Sequence, residues 1–141
     1  MPLRSPIESH IRRVIMFSQQ EKFRLMLANR KILLICSYAD EVKDAMEKDL
    51  KNNVEFDIVG TIIIEEFEDI PRVKEELIRF DFDLCLLAAG INAVILAPYI
   101  AKTYSKVAFD LGLGMESLIT RHIEFVGYLE RYIALDLLMK M

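Results

Sequence analysis

The chain has 141 residues, a hydrophobic fraction of 53% and a net charge of −4, which are typical of one globular domain. The acidic balance argues against a nucleic-acid partner, and no apolar run reaches the ~20 residues of a membrane span. The first residues lack the apolar stretch of a signal peptide. Cys36 and Cys85 lie in apolar segments, which favours reduced thiols and a cytoplasmic location over a disulfide.

Residues 1–30 are expected to form a helical lead-in. Apolar side chains in residues 7–17 have the spacing of an amphipathic helix. Ser18 followed by Glu21 forms a capping box, which predicts a second helix that ends near Ala28.

Residues 31–114 alternate short apolar segments with helical ones. The predicted strands cover residues 31–37, 54–64, 84–89 and 107–109, and the predicted helices cover residues 40–52, 71–80 and 91–104. This alternation predicts an α/β fold, a small four-stranded parallel Rossmann-like sheet of order 2-1-3-4 with flanking helices. The second strand should be bent or bulged near Gly60, and the helix at 91–104, apolar nearly all round, should be buried.

Residues 115–141 are predicted to be mostly helical, with a weak point at Gly127. They carry too many apolar side chains for a helix with one solvated face. We therefore expect this C-terminal helix to pack back on the core or against a second copy, which would make the chain a homo-oligomer.

Polar and glycine residues follow the predicted strands at their carboxyl ends, the edge where open parallel sheets bind ligands. The candidate binding residues there are Ser37, Tyr38, Gly90, Asn92, Asp110 and Gly112. Gly90 would let a phosphate approach a helix N-terminus, or would serve a turn that needs a positive φ. Asp110 would accept a hydrogen bond from a sugar, a ribose or a metal-bound water, or would cap the next turn.

Other patterns give no catalytic or metal-binding assignment. Gly112-Leu113-Gly114 lacks the third glycine of a dinucleotide fingerprint and does not follow the first strand, so NAD and FAD are rejected. The two histidines fall in separate predicted helices, so they form neither a metal site nor a triad. The acidic runs at 65–69 and 81–83 are interpreted as solvated loops, with the binding of a divalent cation as the alternative for each. The second run precedes the third strand, so it should lie at the opposite end of the sheet from the candidate site.

Four segments together resemble a known family. They are KILLICSYADEVKDAME at 31–47, FDIVGTIII at 56–64, IPRVKEELIRFDFDLCLLAAGINAVILAPYIAK at 70–102 and KVAFDLGLGMESL at 106–118. The series resembles the C-terminal, Rossmann-like half of GT-D-fold glycosyltransferase domains. In that family one strand ends in a D-hydrophobic-L-(A/G)-G pattern, here residues 83–90, and a later strand ends in D-x-G-H, here residues 110–113 with Leu113 in place of histidine.

The resemblance implies a nucleotide-sugar donor, with its diphosphate near Gly90 and Asn92 and with Asp110 on the sugar or ribose; a divalent cation is left open. The family's upstream Asp-Gly-Glu motif is absent, since the sequence contains neither an Asp-Gly nor a Gly-Glu dipeptide. Whether the chain alone is an enzyme is therefore left open. The alternatives are a non-catalytic Rossmann-like module that self-associates through its C-terminal helix, and a regulatory domain that binds a free nucleotide.

Overall fold

A computed structural model of the chain describes residues 20–52, 54–112, 114–120, 122–124 and 132–134. Its elements in chain order are α1 (Gln20–Leu27), β1 (Lys31–Cys36), α2 (Ala39–Asp49), β2 (Asp57–Ile62), a 3-10 turn (Phe67–Asp69), α3 (Ile70–Leu77), β3 (Leu84–Ala88), α4 (Asn92–Tyr104), β4 (Val107–Asp110), α5 (Gly114–Thr120), β5 (His122–Glu124) and β6 (Tyr132–Ala134). The helix predicted at 7–17 lies outside the described residues.

The first four strands form a parallel sheet of order β2-β1-β3-β4, which confirms the predicted fold class and strand order. The central strands β1 and β3 are almost completely buried because both of their faces are covered, and this explains why their sequences do not alternate. Ile32 pairs with Ile58 but Leu33 pairs with Gly60, so Val59 is an extra residue. The predicted irregularity near Gly60 is confirmed as this bulge.

Helices cover the two faces of the sheet in separate layers, because successive strand residues point to opposite faces. Helices α1, α2 and α5 pack on the face that carries Ile32, Leu34 and Cys36. Helices α3 and α4 pack on the other face, which carries Leu33 and Ile35. The chain therefore leaves β1 over one face to reach β2, and leaves β3 over the other face to reach β4. The neighbouring carboxyl ends of β1 and β3 are thus the topological switch point.

The amino ends of the two central strands are tied together by Lys31 and the acidic pair around Phe82. The Lys31 amide donates to Asp83 Oδ2 (3.0 Å), and the Asp83 amide donates to the Lys31 carbonyl (2.8 Å). Lys31 Nζ also pairs with the exposed Asp81 Oδ2 at 2.9 Å. As predicted, this acidic pair lies at the opposite end of the sheet from the switch point. It has a structural role there as well as contact with solvent.

The C-terminal prediction is partly wrong. Helix α5 ends at Thr120, and the strands β5 and β6 follow, paired antiparallel with Ile123 opposite Ile133. Residues 122–124 and 132–134 are therefore strand and not helix, because isoleucine and tyrosine favour a paired, half-buried extended chain. The expected packing of the remaining residues on the core or on a second copy stays a prediction.

The expectation of reduced thiols is confirmed, and the expectation of a fully buried α4 is corrected. Cys36 and Cys85 are free and buried. They lie on opposite faces of the sheet, so the alternative of a disulfide is wrong. Helix α4 is buried on one face only, and its opposite face is exposed. Within the described residues, no helix combines the length and apolar character needed to cross a bilayer.

Candidate functional site

The segments that follow β1 and β3 leave the sheet side by side. Cys36 pairs with Ala88 in the parallel register, so Ser37 and Ala89 begin neighbouring turns at the switch point. Ser37 in the first turn and Gly90 in the second turn are exposed. We call the space between the two turns the crevice, and it lies where the sequence places the candidate site.

Gly90 adopts a left-handed conformation, with φ of +58°. This agrees with the interpretation of Gly90 as a turn residue that needs a positive φ. A Cβ atom built on Gly90 would meet nothing within 4 Å. The backbone conformation, and not close packing, therefore explains the glycine, and the space beside it is open to a ligand.

The first turn of α4 uses its own amide groups. The amides of residues 92–94 donate to the carbonyls of residues 89–91, each at 3.1 Å. These bonds close the helix start in the 3-10 manner. A phosphate at this helix start would therefore compete with these bonds or use the amides that precede residue 92.

Asn92 is the one buried polar side chain among the residues that the structure describes. It is 7% exposed, and its Oδ1 atom is buried without a hydrogen-bond partner. It shares the sheet-facing side of α4 with the buried residues Ala93 and Leu96. Because an unsatisfied buried acceptor costs about 1–3 kcal/mol, the position is one where a hydrogen-bond donor from a ligand would be stabilising.

Asp110 ends the edge strand β4 and is partly buried. Its Oδ1 accepts a hydrogen bond from the Gly112 amide at 2.9 Å, and Gly112 has φ of +56°. The interpretation of Asp110 as the cap of the following turn is therefore correct. Ala108 packs in the α3/α4 layer and Phe109 in the other layer, so the alternation of β4 directs Asp110 to the α4 side, the same side as Asn92.

Tyr38 lies on the opposite side of the sheet edge, where it packs against the layer of α1, α2 and α5. Burial raises the pKa of Tyr38 to about 12, with the sulfur of Cys36 and the carboxylate of Glu116 adding to the effect. The hydroxyl is thus fully protonated at neutral pH and available as a donor. The structure therefore divides the six candidate residues, with Tyr38 on one side and with Asn92 and Asp110 on the other.

The crevice segments are acidic. Residues 37–41, 88–92 and 110–116 contain no lysine or arginine, and they carry Asp40, Glu41, Asp110 and Glu116. Thr61 Oγ1 donates to Asp40 Oδ1 at 2.7 Å. Within the part of the chain that the structure describes, no three His, Cys, Asp or Glu side chains are grouped to hold a metal ion. The segments thus offer carboxylate and amide acceptors, backbone amides and the Tyr38 hydroxyl.

The acidic run at 65–69 organises the start of α3. Asp69 Oδ2 accepts hydrogen bonds from the amides of Glu65 (2.9 Å) and Glu66 (3.1 Å), and these bonds hold the pKa of Asp69 below its ordinary value. Arg72 lies 3.7 Å from Asp69 Oδ1 and donates to the Ile63 carbonyl. The Asp69 carboxylate therefore fixes the shape of the loop through its hydrogen bonds to the backbone.

Sequence reasoning missed two features. One is Glu116, whose effect on Tyr38 arises because α5 packs in the same layer as α2. The other is a cavity of about 350 Å³ beside α1, away from the crevice, lined by Glu21, Arg24, Leu25, Ala28 and Val54. Arg24 Nε is buried there without a partner. Neither feature has a local sequence motif, because each depends on how helices pack on the sheet.

Helices cover both faces of the parallel sheet, and the crevice lies at its topological switch point. These features define a doubly wound, Rossmann-like α/β domain. Residues 1–118 match the model of the family described as GT-D fold-like domain. The chain therefore belongs to the GT-D fold-like family, and the resemblance found in the sequence is confirmed. Comparisons with curated proteins and with solved structures gave no match.

Proposed function

We propose that this chain is a GT-D-like glycosyltransferase domain that binds a nucleotide-sugar donor in the crevice between the ends of β1 and β3. Family membership supports a glycosyltransferase-like fold. The observation that carries the proposal of a ligand is the buried, unpartnered Oδ1 of Asn92, which lies two residues after the open turn at Gly90.

The chemistry of the crevice suggests how the donor would lie. Asn92 Oδ1 and the Asp110 carboxylate are acceptors, so they suit hydroxyl groups of a ribose or a sugar. Phosphate oxygens are acceptors too, so the diphosphate would need donors, namely the backbone amides of the Gly90 turn with the dipole of α4 behind them. Because residues 88–92 have no cationic side chain, we expect a divalent cation to accompany the diphosphate.

We assign no catalytic residue. The Asp-Gly-Glu motif of the family is absent from the sequence. Among the acidic side chains at the crevice, Asp110 already has a structural role, because its carboxylate caps a turn. We therefore expect this chain alone to bind a donor without turning it over, with the missing acidic residues supplied by another chain.

A binding screen tests the proposal. The full chain is titrated by calorimetry and thermal shift with UDP, UDP-glucose, GDP and dTDP-glucose, each with and without Mn²⁺. A ligand present at 100 times its Kd adds about 2.7 kcal/mol to the free energy of unfolding. We expect a shift with one nucleotide class that is larger with Mn²⁺; a flat result across the whole panel would contradict the proposal.

The sharpest variant is Gly90→Asn. Asparagine tolerates positive φ, and the space around Gly90 accepts a side chain, so the fold should survive while the crevice is filled. Ser105→Asn is the matched control, because Ser105 has a similar φ of +55° at the other end of α4. We expect at least a tenfold loss of affinity, about 1.4 kcal/mol, in Gly90→Asn only. Wild-type affinity in Gly90→Asn would refute the location.

The second candidate is a non-catalytic module that self-associates through residues 115–141. The missing acidic motif favours it, as does the apolar composition of this segment. The predicted helix is wrong at 122–124 and 132–134, since α5 ends at Thr120 and the strands β5 and β6 lie there, so the surface would be built from α5 and the β5–β6 pair. Self-association that is lost when residues 116–141 are deleted, combined with a flat ligand screen, is the result that would favour this candidate over the first.

A further inference from the structure

Helix α4 is apolar on two opposite faces. Its inner face is buried against the sheet. Its outer face, together with the N-cap residue Ile91, forms what we call the outer stripe, which consists of Ile91, Val94, Ile95, Pro98 and Ala101, all exposed. Ile91 is 80% exposed, Val94 70% and Ile95 41%. These residues follow the i, i+3, i+4, i+7 spacing of one helix face.

The outer stripe is unusual for a surface that faces water. No charged residue occurs from position 91 to position 101, whereas a surface helix normally carries its polar residues opposite its buried face. A helix that is apolar all round is a buried helix. Large exposed apolar patches mark sites of interaction. The sequence of α4 therefore indicates a second surface that covers it.

We propose that the outer stripe is the interface through which two copies of this chain associate, with α4 packed antiparallel against α4 of the partner subunit. A two-fold interface must be complementary to itself. An uninterrupted apolar stripe meets this condition, since an antiparallel pair centred near its midpoint places apolar residues opposite apolar residues. Lys102, the first charged residue, then lies at the rim, and no charge is buried.

The size of the surface fits a reversible dimer. The largest apolar patch on a monomer typically covers roughly 300–600 Å², and an outer stripe of five exposed residues over three helical turns is of this order. Two copies would bury about twice that area, near the ~1,000 Å² that a specific interface requires. We therefore expect a dimer that dissociates on dilution.

Among the described elements of the C-terminal segment, helix α5 packs on the face of the sheet opposite α4. Helix α5 therefore does not cover the outer stripe.

Sedimentation velocity and light scattering of the full chain over a dilution series test the proposal. Val94→Glu places a charge at the centre of the outer stripe. Ile78→Glu and Leu25→Glu are matched controls, because Ile78, which directly follows α3, is 75% exposed and Leu25 on α1 is 71% exposed. We expect wild type and both controls to form dimers of the 16.4 kDa chain, and Val94→Glu to be monomeric with its dissociation constant raised at least a hundredfold.

Exposed substitutions change stability by little, and circular dichroism verifies that each variant is folded. If Val94→Glu does not fold, Ala101→Glu tests the same stripe with a smaller change in packing. A wild-type chain that stays monomeric at every concentration would overturn the proposal, and so would a dimer that survives both stripe variants. Equal loss of the dimer in Ile78→Glu or Leu25→Glu would overturn it as well.

Discussion

Replacing Gly60 by alanine would force a methyl group into the ring of Phe80. A Cβ atom on Gly60 would lie 2.2 Å from Cε1, 2.5 Å from Cδ1 and 2.9 Å from Cζ of that ring. Carbon atoms in contact prefer about 3.5–4.0 Å, so the ring or the bulged strand would have to move by more than 1 Å. Overpacking of this kind costs about 1–3 kcal/mol, and we expect Gly60→Ala to lower the free energy of unfolding by that amount.

The sign of the effect should reverse when the ring is removed. Gly60 is not among the described glycines with positive φ, so its backbone accepts alanine. In the Phe80→Ala background the clash is gone, and alanine removes the entropic cost of a strand glycine, about 0.5–1 kcal/mol. Gly60→Ala should then stabilise the protein. The coupling energy between the two positions is expected to be about 1.5–4 kcal/mol.

Urea unfolding followed by circular dichroism measures this double-mutant cycle in the wild type, both single variants and the double variant. The slope of each transition shows whether the unfolded states are comparable. The ring would be excluded as the obstacle if Gly60→Ala destabilised both backgrounds equally, within about 0.5 kcal/mol. The cost would then belong to the bulge itself.

Two more predictions follow from local geometry. Ser105 directly follows α4 with φ of +55°, and its amide donates a hydrogen bond to the Ala101 carbonyl. Ser105→Gly should therefore relieve strain and raise the free energy of unfolding by about 1 kcal/mol, which urea unfolding would show as a higher midpoint. A lower midpoint would contradict this. The pKa of Asp69 is held low by the amides of Glu65 and Glu66, so its stabilising effect is present above the ordinary Asp pKa and is lost as pH falls through the folded value. Asp69→Asn should therefore show a shallower loss of stability on acidification than wild type, and equal slopes would refute the assignment.

The sheet could be predicted because its information is local. The runs at 31–37 and 84–89 lack alternation, which indicates strands covered on both faces, and this places them at the centre of the sheet. The edge that holds the candidate site follows from the same order, because ligands bind outside the carboxyl ends of parallel strands. The sequence alone therefore predicts that Gly90 and Asp110 lie at that edge.

The rest of the site depends on tertiary packing. The side chains of Tyr38 and Asp110 lie on opposite sides of the sheet. The side on which each lies depends on which face of the sheet the last residues of its strand point to. The influence of Glu116 on Tyr38 needs α5 beside α2. The strands β5 and β6 have three residues each and are defined by pairing with each other, so composition alone favoured a helix. The segment at 91–104 is apolar nearly all round and so indicates burial, but the outer face of α4 is exposed in the structure.

The sheet also separates the only two thiols of the chain. Cys36 lies beneath α1, α2 and α5, and Cys85 lies beneath α3 and α4. Burial raises the pKa of both, that of Cys36 to about 11, so neither thiolate forms readily while its layer is closed. A thiol reagent therefore reaches each cysteine only when the helices above it lift. The unmodified protein thus contains one natural probe for each layer, and the two reaction rates compare the opening free energies of its two halves within a single molecule.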